Sequence, residues 1–252
     1  MKKILIILLI ISAIRANAQR LADTVRLPDT IKRSHSKLTP LILPAALITY
    51  GALSFEVNPI RRVDYYVHSE IAASAPNFRT NAESYFMFTP IVMVYGLNLI
   101  GVEGKDNFVD RTAILAISAG FGGISDFSLK HIINRKDPGG GRSSSFPSGH
   151  SIAGFAGAEF LAQEYGDQSP AYTIAGYTFA VATGVFRLYN RDHWFSDVVG
   201  GAGIGILSTK VAYLVYPSVR KWFSHTGKNG KSTFIMPTYE NGMPGLTFAK
   251  EF

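Results

Sequence analysis

The sequence predicts an all-α protein: a bundle of about six core helices, membrane-embedded, followed by a short C-terminal β-hairpin. Three observations carry that expectation. Residues 38–55, 84–102 and 168–186 are uncharged runs, each close to the ~20 residues that a helix needs to cross a bilayer. Residues 112–129, 151–165 and 198–216 are also apolar but hold Asp126, Glu159 with Glu164, and Lys210, isolated ionisable groups of the kind that face a bundle interior. Past Pro217 the pattern changes to short runs flanking Asn241-Gly242, a dipeptide favoured in hairpin turns. A water-soluble bundle is the alternative that these patterns leave open.

Taken in order, the chain begins with Met1-Lys2-Lys3, an apolar stretch over 4–14 and Ala16-Asn17-Ala18. Basic start, short apolar centre and small-x-small site are those of a secretory signal over 1–18. Residues 19–37 are polar, contain proline and show no helical or strand period, so they read as a linker. The helical body is expected over 38–219. Within it Ile60, Val63, Val67 and Ile71 recur at helical spacing with Arg61, Arg62, Asp64 and Glu70 elsewhere on the wheel, which describes an amphipathic helix. Residues 220–252 form a basic tail, and its hairpin, marginal alone, is expected to pack on the body.

Arg220, Lys221, Lys228 and Lys231 after the last apolar segment mark a cytoplasmic end. Counting back through the apolar segments places Lys130, His150 and His193 on the periplasmic face of a bacterial cell envelope. Six crossings would also put the linker inside, which a cleaved signal contradicts. An uncleaved signal, an odd number of segments that fail to span, or a peripheral body would each resolve the conflict.

The 252 residues suit one domain with a sizeable core. Mean hydropathy is +0.14, between a soluble globule and a densely embedded protein. The net charge of +7 suits anionic partners such as phospholipid head groups or phosphorylated small molecules. Nucleic acid is set aside as a partner, because no zinc-finger or helix-turn-helix pattern is legible. There is no cysteine, so disulfides, thiolate metal sites and cysteine nucleophiles are excluded.

The chemistry gathers between Lys130 and Asp197. Lys130 precedes Phe146-Pro147-Ser148-Gly149-His150, and Arg187, His193 and Asp197 follow in the spacing R-x5-H-x3-D. The word Pro-Ser-Gly-His should occur by chance on the order of 0.001 times in this length. Taken singly, Ser148 would be an ordinary helix cap, Asp197 a charge at a helix start, and Lys130 and Arg187 solvated helix-end charges. Their joint order argues for function. Hydrolysis of a phosphate ester without a metal calls for a nucleophile, an acid for the leaving oxygen and fixed positive groups around the phosphate oxygens. No cofactor and no metal is called for.

This constellation resembles the type 2 phosphatidic acid phosphatase superfamily, which also holds bacterial acid phosphatases and vanadium haloperoxidases. The family pattern is K-x6-R-P, then P-S-G-H, then S-R-x5-H-x3-D. The resemblance implies His193 as a nucleophile that forms a phosphohistidine and His150 as the acid that protonates the leaving alcohol. Asp197, four residues after His193, could reach back to its other ring nitrogen if the final helix starts near Phe195 or Ser196. Ser148 and Gly149 sit before an apolar run, where a helix start favours an anion. Lys130 and Arg187 supply positive charge, Arg187 through a fixed fork of donors.

Two positions depart from the pattern. Asp137 stands where the first motif has arginine, and Phe186 where the third has serine. A carboxylate at 137 removes one contact and repels phosphate. Arg135, Lys136 or Arg142 could substitute, with Gly139-Gly140-Gly141 letting Arg142 fold back. The expected function is therefore hydrolysis of a phosphate monoester or diphosphate on a lipid. The alternatives are a catalytically impaired relative that binds phosphate or lipid head groups, and a soluble exported acid phosphatase. A vanadate-dependent haloperoxidase is the remotest. The substrates implied by the resemblance are phosphatidic acid, phosphatidylglycerol phosphate, undecaprenyl diphosphate and lipid A phosphates.

Overall fold

The computed structural model of the chain describes residues 39–141, 143–226, 232–240 and 243–250. The signal over 1–18, the linker over 19–37, Arg142 and the Asn241-Gly242 turn lie outside the described residues. The helices are α1 (Thr39–Leu53), α2 (Asn58–Ser74), α3 (Ala82–Phe86), α4 (Thr89–Leu99), α5 (Phe108–Ile133), α6 (Gly149–Tyr165), α7 (Pro170–Tyr189) and α8 (Phe195–Phe223). The body from Thr39 to Phe223 is all-helical.

Local chemistry sets the ends of these helices. Asn107 accepts from the N–H groups of Val109 and Asp110 at 3.0 Å each and starts α5, satisfying donors that a first turn leaves bare. Asn134 takes the left-handed conformation at φ 50°, and its N–H bonds back to the Lys130 carbonyl, which stops α5 in the way expected of an αL cap. Ser148 caps α6, and Ser169 with Pro170 opens α7. Lys130, Gly149, Arg187 and Asp197 are thereby delivered to one end of the bundle, by the end of α5, the start of α6, the end of α7 and the start of α8.

Helix α8 is the hub, packed against α1, α5 and α6. Its small residues allow the approach. A Cβ added at Gly201 would lie 2.7 Å from the Ser148 carbonyl oxygen, and one at Gly203 2.7 Å from that of Pro44. The apolar core gathers at the opposite end around Val94, Ile114, Phe160, Leu161, Tyr165 and Ala212. Of the ionisable residues on the apolar segments, Glu159, Glu164 and Lys210 pair across helices, while Asp126 pairs with Lys130 on its own helix. Lys210 Nζ contacts Glu159 at 2.6 Å, and Arg111 Nε contacts Glu164 at 2.9 Å with both side chains buried.

The assignment of spans differs from the sequence expectation. Helices α5 and α8 are long and apolar enough to cross a membrane, and α1 with α2 would be a third span if that pair, bent by 86°, counts as one. Both qualifying helices arise from segments that hold ionisable groups, because those groups turn inward or lie near the helix ends. On the outward surface Ile124, Phe127 and Leu214 are 69%, 66% and 61% exposed, an apolar face suited to lipid. Residues 84–102, expected as a span, instead break into α3 and α4, with Pro90 opening the second piece. The 11 residues of α4 rise only ~16 Å, short of the ~30 Å hydrocarbon layer.

Candidate active site

Lys130, Gly149, His150, Arg187 and His193 line one cavity of about 160 Å³, and Asp137 and Asp192 line it too. Five of the residues singled out in the sequence are therefore brought together. Ser148 and Asp197 are fully buried behind the cavity wall.

His193 is 8% exposed, and its Nδ1 lies 2.8 Å from the carbonyl oxygen of Ser145. A carbonyl can only accept, so Nδ1 carries the proton and the lone pair sits on Nε2. The expected hydrogen bond from His193 to Asp197 is replaced by this contact, with Asp197 Oδ2 at 3.9 Å from Nδ1. The carboxylate is engaged elsewhere. Its Oδ2 accepts from the Trp194 N–H at 2.8 Å and from the Ser145 hydroxyl at 2.5 Å, and its Oδ1 accepts from Arg135 at 2.6 Å. Asp197 thus acts on His193 through its charge and through Ser145, which both carboxylate and ring hold.

Arg135 continues this chain to Asp64 on α2 at 2.7 Å. Asp64 also accepts from the N–H and hydroxyl of Ser196. Two buried carboxylates around one guanidinium leave a net negative charge behind His193. Arg135 is consequently committed to carboxylates and is not the substitute for the missing first-motif arginine. Lys136 borders a neighbouring cleft with Trp194, and its carbonyl accepts from the indole N–H at 2.8 Å.

Ser148 has the geometry of a cap. Its Oγ accepts from the Ser151 N–H at 3.4 Å and from the Ser151 hydroxyl at 3.0 Å, and it is not among the cavity-lining residues. The Ser148 hydroxyl thus holds the helix start behind Gly149. At Gly149 a Cβ would sit 3.4 Å from Lys130 Nζ and 3.3 Å from the Asp126 carboxylate, so glycine keeps the helix start open beside the lysine. Asp137 Oδ1 accepts from the Gly141 N–H at 2.9 Å, which closes the glycine turn while leaving the carboxylate at the cavity wall.

Each cation has a carboxylate partner. Lys130 pairs with Asp126 one turn earlier at 2.9 Å, and Arg187 pairs with Asp192 at 2.8 Å and Glu83 at 3.4 Å. His150 Nε2 lies 3.4 Å from the Ser84 hydroxyl. Burial first, then the charges of Arg187 and His193, push the His150 pKa down to about 4. That imidazole is neutral at neutral pH in this arrangement.

Asp64, Glu83, Ser84 and Ser145 escaped the sequence reading as site residues, and Arg135 entered it only as a stand-in for the first-motif arginine. Asp64 did leave a trace, although it was set apart from the apolar face above: positions 60, 64, 67 and 71 share one helical stripe, and only Asp64 on it is charged.

Residues 111–221 match the PAP2 superfamily, and that stretch holds every cavity cation and both histidines. Over that stretch the chain is similar to this superfamily. The chain is also similar to the lipid A 1-phosphatase of Porphyromonas gingivalis, 30% identical over 189 residues. The alignment takes in 74% of this chain and 40% of that protein, so the chain spans well under half the length of its curated relative. Among solved structures, the chain is similar to the first transmembrane PAP2 type phosphatidylglycerolphosphate phosphatase from Bacillus subtilis. That likeness has a TM-score of 0.52 at 21% identity, over 72% of this chain and 98% of that one, and it concerns the fold. Aquifex aeolicus LpxE superposes more loosely, with a TM-score of 0.46 at 18% identity over 60% of this chain and 94% of that one.

Proposed function

We propose that this protein hydrolyses a phosphate ester on a lipid through a phosphohistidine at His193. The observation that carries the reading is the single cavity into which His193, His150, Lys130 and Arg187 all open. Nε2 of His193 attacks phosphorus as the ester P–O bond breaks, and protonated His150 gives its proton to the leaving oxygen. Water then attacks the phosphohistidine while His150 takes the proton back, releasing phosphate and restoring both rings. A bound phosphate dianion raises the His150 pKa from about 4, because its charge offsets Arg187 and His193. Lys130 and Arg187 hold the equatorial oxygens, and the open N-terminus of α6 at Gly149 adds backbone donors.

A lipid substrate is favoured by the apolar outward face of α5 and by the two helices able to cross a membrane. The Porphyromonas relative puts lipid A phosphates first among the candidates. Arg220 and Lys221 sit at the far end of α8 from His193, which favours a cavity opening to the periplasm. The expected tail hairpin is supported by antiparallel pairing of Ser232–Glu240 with Met243–Lys250.

Phosphate release from a panel of lipid phosphates and one aryl phosphate, in EDTA, tests the reading. Release by the parent and none by His193→Ala is the expected result. Equal release from both would remove His193 as nucleophile. The Asp137 carboxylate at the cavity wall favours a second reading, an impaired relative that binds phosphate without turnover. Silence of the parent with recovery in Asp137→Arg would establish it.

A further inference from the structure

We infer that Asp192 competes with the substrate phosphate for Arg187, and that Glu83 is the backing carboxylate onto which Arg187 seats once an anion has displaced Asp192. The inference deepens the phosphatase reading and rests on its anion cavity. Arg187 has carboxylates on two sides, and both engage the same nitrogen. Nη1 lies 2.8 Å from Asp192 Oδ2 and 3.4 Å from Glu83 Oε1. The two carboxylates differ in surroundings. The Asp192 side chain is 24% exposed and borders the cavity, whereas that of Glu83 is 4% exposed and lies on the protein side of the guanidinium.

Glu83 is fixed in place. Asn190 Nδ2 donates to its Oε1 at 3.2 Å, and the same amide clamps Thr80 through the Thr80 N–H at 3.0 Å and the Thr80 carbonyl at 2.8 Å. Asp192 sits at the turn where its N–H bonds the Arg187 carbonyl. Two buried atoms then stand out. Glu83 Oε2 and Arg187 Nε have no hydrogen-bond partner among the described residues. They are an acceptor and a donor of the very pair that meets at only one long contact. A bidentate arginine–carboxylate fork would satisfy both, and buried polar groups are rarely left unmatched. The short contact to Asp192 holds the guanidinium off that fork.

The arrangement makes Asp192 a specificity-determining residue. A phosphate monoester dianion carries enough charge to replace a carboxylate on arginine, while a diester monoanion competes on equal terms with it. The site is thereby biased toward monoesters. Glu83 is a positioning residue that acts through Arg187.

Inorganic phosphate binding to the full-length protein in detergent, followed by calorimetry at neutral pH, tests this without turnover. Asp192→Asn is expected to bind phosphate about tenfold more tightly, as removal of a competing state raises apparent affinity by its former share. Asp137→Asn removes the same charge from the same cavity without touching Arg187, and it is expected to tighten binding by less. Glu83→Gln is expected to weaken binding about tenfold, with Glu83→Asp recovering part of the loss. Equal tightening by Asp192→Asn and Asp137→Asn would reduce the effect to general charge and overturn the inference. Unchanged binding in Glu83→Gln, or no phosphate binding by any of the proteins, would overturn it as well. The expected order of affinities without any lipid phosphate turnover would sustain the inference and sink the phosphatase reading. Turnover with the order absent would do the reverse.

Discussion

The two ends of the bundle use the same material for opposite purposes. At the far end Arg111 pairs with Glu164, whose other oxygen accepts from Tyr213 at 2.6 Å, and Arg111 also donates to the Asp106 carbonyl at 2.6 Å. Those contacts bring α5, α6 and α8 together around an apolar cluster. At the cavity end Arg135 binds Asp64 and Asp197, equally buried carboxylates from α2 and α8. The difference lies in what stands beside the pair. Behind Arg135 the chain runs through Ser145 to a histidine at the cavity, while the Arg111 network ties helices together beside the apolar cluster. Buried ion pairs therefore mark tightly built regions, and chemistry is marked by groups that such regions hold open.

Four experiments press on that contrast. Removing the proposed nucleophile should have the largest effect: His193→Ala is expected to lower phosphate release by more than ~1,000-fold with an unchanged melting temperature in detergent. Arg111→Ala should behave in the opposite way. Stranding Glu164 is expected to cost about 3–5 kcal/mol of stability, read by thermal unfolding, while the folded fraction keeps its kcat. A large loss of kcat in Arg111→Ala with stability intact would erase the distinction between the two ends. Asp137→Arg restores a charge-assisted contact at the cavity wall and is expected to raise kcat/KM about tenfold. The smallest effect concerns acid. The folded pKa of His150 is pushed down to about 4 from an unfolded value near ~6.5. Between those values the unfolded chain binds a proton that the folded chain refuses, so this group's contribution to stability is lost as pH falls through that window. Melting curves of His150→Gln should therefore decline less steeply from pH ~6.5 to ~4 than those of the parent.

Much of the site could be read from the chain because its chemistry is local. Pro-Ser-Gly-His is contiguous, and Arg187, His193 and Asp197 lie within one helix end and the next helix start. What escaped is long-range. Glu83 reaches Arg187 across 104 positions, and Arg135 reaches Asp197 across 62; no periodicity links such pairs. The role expected for Asp197 was displaced by a backbone carbonyl, and a backbone carbonyl has no signature in sequence. The helical class was legible from apolar runs, but the membrane-crossing helices were assigned by charge alone. Pro90 and the inward turn of Lys210 changed that order, and only packing reveals the second.

The glycines of α8 have a consequence for how this scaffold can diverge. Where a helix meets its neighbours through backbone atoms, with Gly201 against Ser148 and Gly203 against Pro44, any added side chain pushes against main chain, which has no alternative rotamer. The helix that bears Asp197 is thus closed to gradual remodelling. New substrate preferences have to be written into the connection at 136–144, whose Asp137 and Ser144 line the cavity and which lies between Arg135 and Ser145, the residues that hold Asp197.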